Sequence, residues 1–139
     1  MAKNIIADSG FWIGLFNARD AHHSCACSIE GFIEAHGIVI PWPSLYETLN
    51  TRLMRRQSDK DRFNAYLKRD STVLLEDAKY KKASLRYVLD QRGTSYSLVD
   101  HVIRSMLEDS SIKVDALITF NPVDFIDVCQ ARGIEIVDC

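Results

Sequence analysis

The 139-residue chain predicts an α/β fold, a three-layer αβα sandwich around a central parallel sheet, with about five strands and seven helices. Three observations lead there. Short apolar, largely β-branched stretches recur along the chain: Asn4–Asp8, Ile38–Ile40, Thr72–Leu75, Ala116–Thr119 and Ile134–Val137. The first three intervals between them each hold two helical patterns and the last holds one, and strands joined by helical crossovers must run parallel. Several strands also open at once into a helix start, which sets their last residues on the carboxyl edge of the sheet, where open α/β folds bind ligands. No linker, repeat or low-complexity segment interrupts the pattern, so residues 1–139 read as one domain.

Taken in order, Asn4-Ile5-Ile6-Ala7-Asp8 is a strand whose last residue is an acid, and Ser9 is placed to cap the apolar helix Phe11–Phe16. Asp20 caps a second helix over Ala21–Ala35, with His22 and His23 in its first turn and Gly37 closing it. Adjacent histidines diverge by about 100° on a helix and suit exposed positions better than one shared metal. After Ile38–Ile40, a third helix starts near Pro43 and Ser44 and carries Leu45, Leu49 and Leu53 on one stripe, with Glu47 off the stripe and in the first turn. Asn50, one turn on, is placed to orient the Glu47 carboxylate. A fourth helix spans Asp59–Arg69, and Thr72–Leu75 is the third strand. Asp77 caps a fifth helix, Ala78–Gln91, that Gly93 ends. Ser97 caps a sixth, with Leu98, Val102, Ile103, Met106 and Leu107 at helical spacing and Asp100 in its first turn. The strand Ala116–Thr119 then meets a polar turn and a helix opened by Pro122, with Asp124 in its first turn, before Gly133 and the last strand.

Composition excludes several classes. Hydrophobic content of 47% and charged content of 26% describe an ordinary soluble globule, and no apolar run is long enough to span a membrane. The start of the chain turns polar too soon for a signal peptide, so a cytoplasmic protein is expected, with Cys25, Cys27, Cys129 and Cys139 as free thiols. The net charge of −2 conceals a division. From Arg52 to Arg92 there are twelve Lys and Arg against six Asp and Glu; the rest of the chain has five against thirteen. A basic middle beside acidic flanks fits a surface for a polyanion next to an acid cluster that needs cations.

Asp8, Glu47 and Asp124 each follow a strand, and parallel strands point their carboxyl ends one way, so topology alone gathers three acids at one edge. Asp100 follows no strand, and local reasoning leaves it unplaced. Clustered carboxylates repel and raise one another's pKa unless a cation joins them; oxygen ligands suit Mg²⁺ or Mn²⁺. Ions so held activate water and neutralise a scissile phosphate. The basic middle, with Arg52, Arg55, Arg56, Lys60 and Arg62, would hold the polyanion backbone.

These residues also carry a resemblance. Ile5-Ile6-Ala7-Asp8-Ser9, Glu47 after Pro43-Ser44-Leu45-Tyr46, Ser97-Leu98-Val99-Asp100 and Thr119-Phe120-Asn121-Pro122-Val123-Asp124-Phe125 stand in the order of the PIN-domain ribonucleases, and the chain is similar to the VapC-type toxins among them. The resemblance implies Asp8, Glu47, Asp100 and Asp124 as catalytic, metal-holding acids, with Ser9 and Thr119 as hydrogen-bonding support. It implies Mg²⁺- or Mn²⁺-dependent endonuclease action on RNA through an activated water, with no side-chain nucleophile, and a homodimer with a protein antitoxin. Many relatives have Asp where Asn121 stands; Asn121 is read as a neutral ligand or water-orienting group, which weakens a second ion's site rather than the first. Three other readings are weighed: an RNA-processing nuclease of the same fold without an antitoxin; a phosphatase or receiver-like domain, which usually needs an adjacent acid pair or a site Lys, whereas Ser9 follows Asp8 and no Lys lies near Thr119 to Asp124; and a non-catalytic interaction module whose acids only cap helices.

Overall fold

A computed structural model describes residues 2–93 and 96–139. Its sheet has five strands, all parallel, in the order β3-β2-β1-β4-β5. They are β1 (Asn4–Ala7), β2 (Gly37–Pro41), β3 (Thr72–Leu75), β4 (Ala116–Ile118) and β5 (Glu135–Val137). Among the described residues seven α-helices connect them: α1 (Ser9–Phe16), α2 (His23–Glu34), α3 (Trp42–Leu49), α4 (Gln57–Leu67), α5 (Lys81–Asp90), α6 (Leu98–Glu108) and α7 (Ile126–Arg132). The expected fold class and element order are both present.

The central strands separate two cores because successive side chains leave a strand on opposite faces. From β1, Ile5 and Ala7 join Phe11, Trp12, Phe63 and Ile118 on one face, while Ile6 joins Ile103, Leu107, Leu117 and Phe125 on the other. Both faces are covered, which is why the middle strands read as continuous apolar runs. At the β3 edge the cover thins, and Val73 is 52% exposed.

Several boundaries differ from the sequence expectation. The second helix begins at His23, not Ala21: Asp20 instead closes a turn, with its carbonyl accepting from the His23 N–H at 3.1 Å and its side chain from the His22 N–H at 2.8 Å. Gly37 is the first residue of β2 rather than a helix stop, and a Cβ there would lie 3.1 Å from the carbonyl oxygen of Ser71, just before β3, a tight approach that glycine relieves. Leu53 leaves the α3 stripe for a separate 3-10 turn, Arg52–Arg55. The Asp77 side chain caps nothing; its carbonyl accepts from Tyr80 and Lys81 before α5 begins. Pro122 opens a 3-10 turn, Pro122–Asp124, and α7 follows it and ends at Gly133 in the left-handed conformation, φ 66°.

The cysteine expectation is also corrected. Cys25 and Cys139 form a disulfide with Cα atoms 6.0 Å apart, 114 residues apart in sequence, leaving Cys27 and Cys129 free. The bond exists because β5 delivers the chain's end to α2, a tertiary proximity that local spacing does not encode. Among the described residues no helix is long and apolar enough to cross a membrane.

Candidate active site

The carboxyl edge of the sheet carries all four predicted acids. Asp8 directly follows β1 and caps α1, its Oδ1 accepting from the Ser9 N–H at 2.8 Å. Its own N–H donates to the Ile118 carbonyl at 3.0 Å, prolonging the β1–β4 ladder by one residue. Thr119, fully buried one residue beyond β4, sets its hydroxyl beside the Asp8 carboxyl, where it favours the charged form. Glu47 arrives from α3, where it is the sixth residue rather than a first-turn residue. The Ser9 hydroxyl donates to Glu47 Oε1 at 2.9 Å and so ties α1 to α3 at the site. Asn50 meets Glu47 through the backbone, its N–H donating to the Glu47 carbonyl at 3.2 Å; the carboxylate is held by Ser9.

Asp100, which the sequence left unplaced, lies among the other three. Ser97 caps α6, its hydroxyl accepting from the Asp100 N–H at 3.1 Å, and the packing of α6 beside α3 sets the Asp100 side chain against Asp8, Glu47 and Asp124. Asp124 stands at the end of its 3-10 turn and accepts a hydrogen bond from the Asn121 side-chain amide. The Asn121 N–H in turn donates to Thr119 Oγ1 at 3.1 Å. Thr119 therefore stands beside Asp8 on one side and holds the Asn121–Asp124 turn on the other.

One contributor escaped sequence reading. Arg104 lies one helical turn beyond Asp100 on α6. Its guanidinium donates to the Asp124 backbone carbonyl at 2.6 Å and to both Asp127 carboxylate oxygens at 2.8 Å, and it packs over the Tyr96 ring at 4.3 Å. It clamps the turn that presents Asp124. The i, i+4 spacing from Asp100 is its only trace in the sequence, and such spacing is too common to single it out.

The electrostatics are those of crowded acids. Burial raises the Asp8 carboxyl to about 6, and the nearby Asp100 and Glu47 charges add to this against the lowering effect of the Ser9 N–H and Thr119. Asp100 is raised as well, first by burial and then by Asp124 and Glu47. Among the described residues no Lys, Arg or His side chain forms an ion pair with any of the four. The donor set is all oxygen and anionic, which fits a hard divalent cation. Among the described residues no group of three or more His, Cys, Asp or Glu side chains is placed to hold a metal ion together; a Mg²⁺-type ion keeps several waters and can take only one or two carboxylates.

The predicted basic residues part company. Arg52 and Arg55 lie on the 3-10 turn and Arg56 just after it, all exposed, while Lys60 is half-buried on α4. Arg62 turns away from them, pairing with Glu30 at 3.0 Å and lying over the Phe16 ring at 5.1 Å. His22 stacks on Phe120 at 4.5 Å, and His23 shares a hydrogen bond with the Gly14 carbonyl at 2.8 Å, so both join α2 to neighbouring elements instead of facing the acids.

No family model and no curated protein matches the sequence. Solved structures do match the fold. VapC20 of Mycobacterium tuberculosis, a sarcin-ricin loop cleaving toxin, superposes with a TM-score of 0.71 at 18% identity, over 97% of this chain and 99% of that one. A chain of VapBC2 from Rickettsia felis, solved bound to a DNA fragment from its promoter, gives 0.56 at 14% identity, over 96% and 97%. At such identities the likeness establishes a common architecture, the layered α/β fold with a parallel central sheet that the sequence predicts.

Proposed function

We propose that this protein is a divalent-ion-dependent endoribonuclease that hydrolyses RNA phosphodiester bonds, and the toxin of a toxin–antitoxin pair. One observation carries the chemistry: four carboxylates from four separate elements gather at the carboxyl edge of a parallel sheet, and among the described residues no cationic side chain forms an ion pair with them. Asp8, Glu47, Asp100 and Asp124 would hold Mg²⁺ or Mn²⁺. When bound, such an ion makes water a stronger nucleophile and offsets charge at the reacting phosphate. The chain's own part is orientation. Ser9 fixes both Asp8 and Glu47, the Ser97 cap sets Asp100, Thr119 holds the Asn121 N–H, and Asn121 with Arg104 sets Asp124. Holding the acids before an ion or substrate arrives removes reorganisation from the reaction.

RNA as substrate and an antitoxin as partner are supported by the fold shared with VapC20, which cleaves the sarcin-ricin loop, and with VapBC2. A homodimer is supported by the apolar side chains that α5 and α6 leave in solvent, Leu85 at 47%, Leu89 at 74% and Leu98 at 40% exposure. The deciding experiment is cleavage of defined RNAs by the purified chain with Mn²⁺ and with EDTA. Cleavage is expected only with the ion; equal rates in EDTA reject ion dependence. Absence of both cleavage and Mn²⁺ binding would leave an interaction module.

A further inference from the structure

The far end of α1 and the 3-10 turn enclose a cleft of about 320 Å³. Its floor is apolar, formed by Ile13 and Phe16 of α1 and Leu53 of the turn. Arg19, Arg52, Arg55 and Arg56 line the rim, all exposed. Among the described residues none of their guanidiniums has an ion-pair partner. Asp59, the one acid in the lining, has a carboxylate oxygen shielded from water with no hydrogen-bond partner. Four cationic side chains around one cleft, against a single acid, would be stabilised by an anionic ligand.

We propose that this cleft is a nucleotide subsite: one unpaired nucleotide of an RNA strand seats there, its phosphates on the arginines and its base on the apolar floor, while the bond to be cut lies at the acids. The inference rests on the ribonuclease reading above. Size favours a single nucleotide, since the volume lies at the small end of ligand sites. Chemistry favours it too, because a guanidinium grips phosphate in a bidentate fashion and stacks flat on a base. Connectivity places it on the substrate's path. α1 starts at the acids and ends at the cleft, roughly 10 Å away at 1.5 Å per residue. The chain leaving Glu47 reaches the same cleft at Thr51 and Arg52. A strand laid across the acids therefore arrives at the cleft within a few nucleotides.

The test is an anisotropy titration of the intact chain, in EDTA to prevent cutting, with short single-stranded RNAs carrying an abasic nucleotide at each position in turn. One position is expected at which loss of the base weakens binding about tenfold. The double variant Arg52→Gln/Arg55→Gln is expected to lose that dependence and to flatten the salt slope by about 0.7 per arginine. Arg86→Gln/Arg92→Gln, on and just after α5, is expected to keep both, and matching urea midpoints will show that all variants fold. A uniform abasic scan, or an unchanged slope in the cleft variant, overturns the subsite while RNA binding itself stands. Failure of every RNA to bind, both in EDTA and to the Asp8→Asn chain in Mn²⁺, overturns the ribonuclease reading along with it. A cleft variant that keeps RNA but loses a glutamate-rich peptide overturns the subsite and gives the cleft to a protein partner.

Discussion

The acidic edge of the sheet and the arginine cleft at the other end of α1 both gather like charges, by opposite means. Each acid is fixed by a neighbour: Asp8 by the Ser9 N–H, Glu47 by the Ser9 hydroxyl, Asp124 by Asn121, and Asp100 through the cap of its helix. The four arginines stand in solvent, and among the described residues none of them forms an ion pair. The difference matches two jobs. Chemistry at a phosphate needs groups set to within a fraction of an ångström, whereas gripping a flexible polyanion needs concentrated charge on mobile stems. Acids fixed by neighbours, and exposed arginines on and around a turn, are the forms those two demands would take in the proposed ribonuclease.

That contrast is exposed to experiment. Asp8→Asn keeps the cap acceptor at the start of α1 and removes the charge; RNA cleavage is expected to fall more than about a hundredfold, on the scale of deleting a fixed electrostatic stabiliser, with an unchanged circular dichroism spectrum. A variant cutting at the parent rate would take Asp8 out of the reaction. Arg104→Met tests whether the acids' order depends on support behind them. It removes the clamp on the Asp124 turn, and cleavage and Mn²⁺ affinity are both expected to drop about tenfold or more, as when a ligand's outer partner is lost. Loss of stability with full Mn²⁺ affinity would reduce Arg104 to a structural tie.

The smallest effect concerns stability in the presence of chelator. Asp8 is raised to about 6 in the folded chain from an unfolded value of 3.8, so its protonated form favours folding. Its contribution is fully present below about pH 4 and is lost as the pH rises through about 6, a change on the order of 3 kcal/mol. Asp127, lowered to about 2 by its bond to Arg104, works the other way, being lost only as the pH falls through that lower range. Urea denaturation of the parent against Asp8→Asn between pH 4 and 8 isolates the Asp8 effect. The gap between the two proteins should widen toward pH 8 in favour of the variant, and Mn²⁺ should reverse it. A gap that does not vary with pH would show that Asp8 is not strained by its neighbours.

The sequence by itself determined the parallel sheet, the order of its strands and helices along the chain, and three of the acids at its edge. Asp8, Glu47 and Asp124 were legible because each follows an apolar stretch whose direction is set by the crossover rule, and such stretches are local signals. Only the tertiary structure decided the rest. Asp100 joins the cluster through the packing of α6 beside α3, not through anything in its flanks. Arg62 left the basic face because Glu30, thirty-two residues earlier, offered it a partner. Cys25 found Cys139 because β5 ends against α2. Periodicity reports which way a side chain faces within its own element; what it meets there is set by how elements pack, and that information is spread over the whole chain.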